Sequence, residues 1–65
     1  MVSRWVWRHV ATGGEYVILA EALEEATQRP VTVYRSLGTG ITWTRPRDEF
    51  NARFERLRPF MGELS

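Results

Sequence analysis

Residues 31–46 read VTVYRSLGTGITWTRP, and they carry the clearest structural signal in the chain. Val31, Val33 and Arg35 alternate with a threonine and a tyrosine, and residues 41–45 alternate in the same way. A period of two is typical of strands with two different faces, and glycines between two such segments indicate a turn. The stretch therefore predicts a β-hairpin. Its second strand ends at Pro46, which has no N–H to donate to a sheet.

The segments before this hairpin are also rich in aromatic and branched residues. Residues 5–10 and 16–19 are separated by Gly13 and Gly14, which predicts another strand pair. Residues 20–28 are ambiguous, because their strong helix formers predict a helix of about two turns. The competing interpretation continues the second strand to about residue 22 and then turns. Periodicity alone does not decide between them.

The size of the chain limits its organisation. It has 65 residues and no cysteine, so one apolar core must stabilise it without disulfides. We expect a single domain over residues 1–65, with its core in 4–57 and a mobile tail at 58–65. Beyond Pro46, residues 47–52 predict a helical turn. The expected core comprises Val6, Val17, Leu19, Val31, Val33, Leu37, Ile41, Trp43, Phe50, Phe54 and Leu57.

Several classes of function find little support in the composition. His9 has no cysteine or second histidine with which to form a zinc site, so we expect no metal and no cofactor. The glycines do not form a phosphate loop, and no serine sits in a nucleophile motif. No apolar run reaches the roughly 20 residues of a membrane helix, and the N-terminus lacks an apolar signal region. We expect a cytoplasmic protein that is not an enzyme.

Arginines interleaved with aromatic residues are the remaining candidate site. Residues i and i+2 of a strand share a face, so Trp43 and Arg45 are expected on one side of the sheet. A functional interpretation is a surface that stacks on bases or grips an anionic ligand. A structural interpretation, which we favour, is that the aromatic rings fill the core and the arginines pack over them or pair with Glu15, Glu21 or Asp48. The candidate binding residues are Arg8, His9, Tyr34, Arg35, Trp43, Arg45 and Arg47.

The same residues resemble a known family. The motifs are Trp7-Arg8-His9, Tyr16-Val17-Ile18, Tyr34-Arg35-Ser36-Leu37 and Trp43-Thr44-Arg45-Pro46 followed by Phe50. They are similar to the motifs of domain-of-unknown-function family 1653, which comprises short bacterial and phage proteins. Two departures are an extra residue between His9 and Tyr16 and a shorter Gly38 turn. Residues 24–27 also differ from the His-Ser-Glu-Thr-like stretch of relatives. The resemblance implies no activity.

The fold that the resemblance implies is mainly all-β, a small SH3-like five-stranded partly open barrel with a short helical turn before the last strand. It favours strand plus loop over helix at residues 20–28. The expected strands are 4–9, 15–22, 30–37, 41–45 and 54–57.

Two functions of different kinds fit such a domain. The first is a small non-enzymatic interaction module whose partner is another protein or a second copy of the chain, because small barrels leave sheet edges open and aromatic grooves accessible. The second is a nucleotide or single-stranded nucleic-acid binder that uses the arginine and aromatic surface. A net charge of +1 gives the second less support. A hydrolase using His9 is a third and weaker hypothesis.

Overall fold

The computed structural model describes residues 4–62, which form five strands and one helix. The strands are β1 (Trp5–His9), β2 (Glu15–Leu23), β3 (Pro30–Ser36), β4 (Thr42–Pro46) and β5 (Phe54–Pro59), and the helix α1 (Arg47–Arg53) lies between β4 and β5. All strand pairs are antiparallel, in the order β4-β3-β2-β1-β5. Over the described residues β4 and β5 are the two edges, so the sheet is not closed. The mainly β, partly open five-stranded fold is confirmed.

The ambiguous segment is a strand and a turn, as the resemblance favoured. Residues up to Leu23 extend β2 and pair with the start of β3, where Leu23 lies opposite Pro30. The Gln28 N–H donates to the Glu24 carbonyl at 2.7 Å, and Gln28 adopts a φ of 62° to close the turn. Pairing with β3 therefore overrides the helix propensity of residues 20–26.

The two glycine turns form where the sequence predicts them. Gly13 and Gly40 have φ values of 78° and 74°, in the left-handed region that favours glycine. The Gly40 N–H donates to the Ser36 carbonyl and closes the β3–β4 turn at 2.9 Å.

An aromatic cluster on one face of the sheet is the main core. Tyr34, Phe50 and Phe54 are buried there, and α1 brings Phe50, which is 0% exposed, against the sheet. Trp7 and Tyr16 pair across β1 and β2 and pack against this cluster, together with Ile18. We call this side of the sheet the inner face.

The outer face carries charges around two buried valines. Val6 and Val17 pair across β1 and β2 one position away from Trp7 and Tyr16, so they point to the opposite side. On the same side, Arg8 contacts Glu55 at 2.5 Å and Arg58 contacts Glu15 at 2.6 Å. Ion pairs therefore cross from β5 to β1 and from β5 to β2.

The expected core is right in part. Val6, Val17, Phe50 and Phe54 are buried, but Leu37, Ile41, Trp43 and Leu57 are each at least 39% exposed, and Leu19, Val31 and Val33 are only partly buried. In β3 the phase is the reverse of the expected one, because Thr32 and Tyr34 take the inner face. Tyr34 lies opposite Ile18 in the register and so meets the aromatic cluster. Thr32 satisfies its buried hydroxyl by donating to the Glu21 carboxylate at 3.3 Å.

The last strand is longer than expected. It continues past residue 57 to Pro59, and the Phe60 N–H then donates to the Arg4 carbonyl at 3.0 Å. Residues 63–65 of the expected tail lie outside the described residues.

The one helix within residues 4–62, α1, has seven residues. No helix in that range is long and apolar enough to span a bilayer. The cytoplasmic location stays a prediction.

Candidate binding groove

A groove of about 260 Å³ opens at one end of the inner face. Every strand contributes at least one residue to it, and the β1–β2 turn contributes one more. We call it the aromatic groove, and its lining residues are His9, Thr12, Tyr16, Tyr34, Trp43, Arg45 and Phe54.

The floor of the groove is a set of rings in mutual contact. Tyr34 and Phe54 are each only 5% exposed, and their ring centroids lie 5.3 Å apart. Tyr16 meets each of them edge-on with centroids 5.4 Å away. Edge-to-face contact is a preferred arrangement of aromatic pairs. The floor of the groove is therefore a set of packed aromatic rings.

His9 and Thr12 form one wall, and both are held by the β1–β2 turn. The His9 ring stands edge-on to Phe54 with centroids 4.8 Å apart. Its Nδ1 accepts a hydrogen bond from the Thr12 N–H at 3.3 Å and lies 3.1 Å from the Thr12 hydroxyl. The Gly14 N–H donates to the same hydroxyl. This arrangement is typical of a turn stabilised by local side-chain bonds.

Trp43 and Arg45 form the opposite wall on β4. They share a face, as the i, i+2 spacing predicts, because Trp43 pairs with Tyr34 and Arg45 with Thr32. Trp43 is 49% exposed. The Arg45 Nε donates to the Tyr34 hydroxyl at 3.3 Å, and its guanidinium lies over the Phe54 ring, 5.7 Å from the centroid. The wall thus offers an accessible indole beside a partly covered cation.

The structure does not bring all seven sequence-predicted candidates together. His9, Tyr34, Trp43 and Arg45 meet in the groove, whereas Arg8 lies on the outer face and contacts Glu55. Arg35 pairs with Val17 across the strands, and its Nε donates to the Gly40 carbonyl at 3.2 Å, which supports the β3–β4 turn. Arg47 begins α1 and borders a separate shallow depression beside Leu23.

Three groove residues were not among the candidates. Tyr16 and Phe54 reach the groove through cross-strand pairing, since Phe54 lies opposite His9 in β5. Thr12 lines the groove because it lies in the turn that contains Gly13. The nearest sequence signal is aromatic content, which marks Tyr16 and Phe54 as large apolar residues without showing where they meet.

The structural interpretation of the arginine and aromatic pattern holds in part. Tyr34 is buried in the core and the Arg45 guanidinium lies over the Phe54 ring, as that interpretation expects, but Arg8 pairs with Glu55 and not with Glu15, Glu21 or Asp48. Trp43 remains half exposed, and the groove lining contributed by residues 4–62 contains Arg45 and His9 but no carboxylate. Among the described residues no group of three or more His, Cys, Asp or Glu side chains is placed to hold a metal ion.

Comparison with known proteins gives one family match. The model of a family described as a protein of unknown function, DUF1653, matches residues 6–58, a range that contains all seven residues of the groove lining. No curated protein and no solved structure matches the chain.

Proposed function

The chain belongs to the family of proteins of unknown function DUF1653, and from its groove we propose that it is a small non-enzymatic interaction module that binds a peptide segment of a partner protein. The observation that carries this proposal is the half-exposed Trp43 beside Arg45 above a floor of packed aromatic rings. Tryptophan, tyrosine and arginine are the residues that contribute most energy at protein interfaces. An extended peptide suits an open groove of this volume, because one or two side chains fill it while the backbone stays outside.

The contacts of His9 support a binding role over a catalytic one. His9 lies 3.1 Å from the Thr12 hydroxyl, a distance that a base and a nucleophile also show. The two residues are three apart in one turn, however, and the hydroxyl also accepts from the Gly14 N–H. In the described structure the side-chain hydrogen bonds of His9 are all to Thr12, so no carboxylate orients the ring. The pair is accounted for by the turn.

A nucleotide or single-stranded nucleic acid is the second candidate ligand. The observation in its favour is that Trp43 and Arg45 share a wall where a base could stack. Such binders also need a cationic track for the backbone. Arg8 and Arg58 lie on the other face and contact Glu55 and Glu15, so they do not extend the groove as such a track. Within residues 4–62, Arg45 is the one arginine that lines the groove, which supports a protein partner over a nucleic acid.

The topology also supports a finer description of the fold. We propose that it is an SH3-like barrel, because β2 bends at an irregular register between Ile18 and Ala20, and β1 pairs with both β2 and β5. The open edges β4 and β5 offer a second copy of the chain a place to pair, so self-association belongs to the same proposal.

A peptide selection tests the proposed function. Random peptides displayed on phage are selected against the immobilised full chain, and the enriched peptides are titrated into ¹⁵N-labelled protein. We expect the indole N–H signal of Trp43, assigned with Trp43→Phe, to shift more than those of Trp5 and Trp7. Trp43→Ala should weaken binding more than about tenfold, as for a central interface residue. Trp5→Ala is the matched control, because Trp5 lies outside the groove.

Two outcomes contradict the proposal. One is a selection that enriches no peptide dependent on Trp43. The other is a Trp43 shift produced by oligothymidylate or a mononucleotide and by none of the peptides, with affinity that falls steeply as salt rises. That result would assign the groove to nucleic acid or nucleotide.

A further inference from the structure

The charge environment of Arg45 differs from that of the outer-face arginines. Arg8 and Arg58 contact glutamates at 2.5 and 2.6 Å. Arg45 has its nearest described carboxylate, Glu49, at 4.0 Å, and the Glu49 side chain is 50% exposed. Charge-assisted hydrogen bonds between such groups are shorter, at about 2.7–2.9 Å. The Arg45–Glu49 contact is therefore a loose ion pair that a ligand carboxylate can replace.

Position makes this loose pair relevant to a ligand. Arg45 lines the groove, while Glu49 lies in the first turn of α1 and does not line it. The Arg45 side chain is 29% exposed and is fixed by its bond to the Tyr34 hydroxyl. A guanidinium that is held in place and partly desolvated binds a carboxylate more tightly than one in open solvent. The groove is thus complementary to a negative charge.

The spacing along β4 adds a second requirement. Trp43 and Arg45 are two residues apart on one face of an edge strand, which separates their Cα atoms by about 6.6 Å. An extended peptide places its own i and i+2 side chains on one face with the same separation. Over residues 4–62, β4 pairs with β3 alone, so a peptide strand can lie alongside its other edge.

We propose that the aromatic groove selects an extended peptide with an apolar residue followed two positions later by Asp or Glu. The apolar side chain packs on the exposed Trp43 indole, and the carboxylate replaces Glu49 at Arg45. This inference rests on the proposed function, since it specifies which peptides the groove takes. Glu49 is then an internal competitor that weakens the binding of acidic peptides and leaves neutral ones almost unaffected.

The same peptide selection, sequenced in depth, tests this specificity. Selection on the wild-type chain should enrich the apolar–x–acidic pattern, whereas selection on Arg45→Gln should keep the apolar residue and lose the acidic one. Arg29→Gln is the matched control, because it removes one positive charge at the exposed β2–β3 turn. Its selected peptides should resemble those of the wild type.

Titration of one enriched peptide and its Glu→Gln analogue completes the test. Arg45→Gln should weaken the acidic peptide by about 5-fold to 10-fold and the analogue by less than about 2-fold. Glu49→Gln should tighten the acidic peptide by about 2-fold to 5-fold. Peptides that depend on Trp43 but show no acidic preference, or an Arg45 effect equal for both peptides, would overturn this inference and leave the proposed function standing. A selection that enriches no peptide dependent on Trp43 would overturn both.

Discussion

The rings of Phe50 and Phe54 stack almost parallel, with centroids 4.1 Å apart and an interplanar angle of 7°. Phe50 belongs to α1 and Phe54 begins β5, and the Phe54 N–H donates to the Phe50 carbonyl at the end of the helix. The short helix therefore continues into the last strand without a loop. This contact links the aromatic core to the floor of the groove, because Phe54 belongs to both.

Phe50→Ala should destabilise the domain severely. The ring is 0% exposed and contacts Trp7, Tyr34 and Phe54. Removing it should lower the free energy of unfolding by about 3–5 kcal/mol, which is enough to unfold most of a domain this small. Urea denaturation followed by circular dichroism measures the loss. The matched control is Leu57→Ala, whose side chain is 41% exposed, and an equal loss for both would contradict the assigned core.

The sequence alone predicts much of this fold because its strongest signals are local. Glycines with positive φ close two turns, Pro46 ends β4, and the helical turn expected after Pro46 forms as α1. The phase of β3 could not be obtained in this way. Val31 and Val33 form the more aliphatic face, but cross-strand pairing with Ile18 turns Tyr34 inward. The hydrophobicity of the residues in β3 alone does not show how that strand is registered against β2.

The candidate site also has a part that local sequence predicts and a part that depends on long-range pairing. The shared face of Trp43 and Arg45 follows from strand geometry and is confirmed by their pairing with Tyr34 and Thr32. That Arg35 lies away from them depends on the phase of β3, and the approach of His9 to Phe54 depends on the pairing of β1 with β5. These are long-range relationships, so the sequence pattern alone assigned too many arginines to one surface.

Trp43→Ala should leave the stability of the domain nearly unchanged. The indole is 49% exposed at the edge of the groove, so we expect a loss of about 1 kcal/mol or less in the free energy of unfolding. Trp7→Ala should cost more, because Trp7 packs edge-on against Phe50 with centroids 5.4 Å apart. Urea midpoints of the two variants make the comparison. If both lost the same stability, Trp43 would be part of the core, as its sequence pattern first indicated.

Gly40→Ala should weaken the β3–β4 turn, and Gly38→Ala should not. Gly40 has a φ of 74°, which costs a residue with a side chain about 1 kcal/mol. An added Cβ would meet only Arg35 Nη2 at 3.7 Å, so the expected loss comes from backbone conformation and not from a clash. At Gly38 the added Cβ would lie 3.8 Å from the Ser36 hydroxyl, without a positive φ. Equal thermal midpoints for the two variants would contradict this assignment.

Arg8 and Glu55 provide a test of the outer face that is independent of the groove. Their side chains are 40% and 50% exposed, so solvent screens the pair despite its short contact. A double-mutant cycle with Arg8→Gln and Glu55→Gln should give a coupling energy of about 0–1 kcal/mol that decreases as salt is added. Arg8→Gln should also leave peptide affinity unchanged, because Arg8 lies on the opposite side of the sheet from Trp43. A loss of affinity matching that of Arg45→Gln would instead place Arg8 in the binding surface and extend the positive charge available to a ligand beyond the groove.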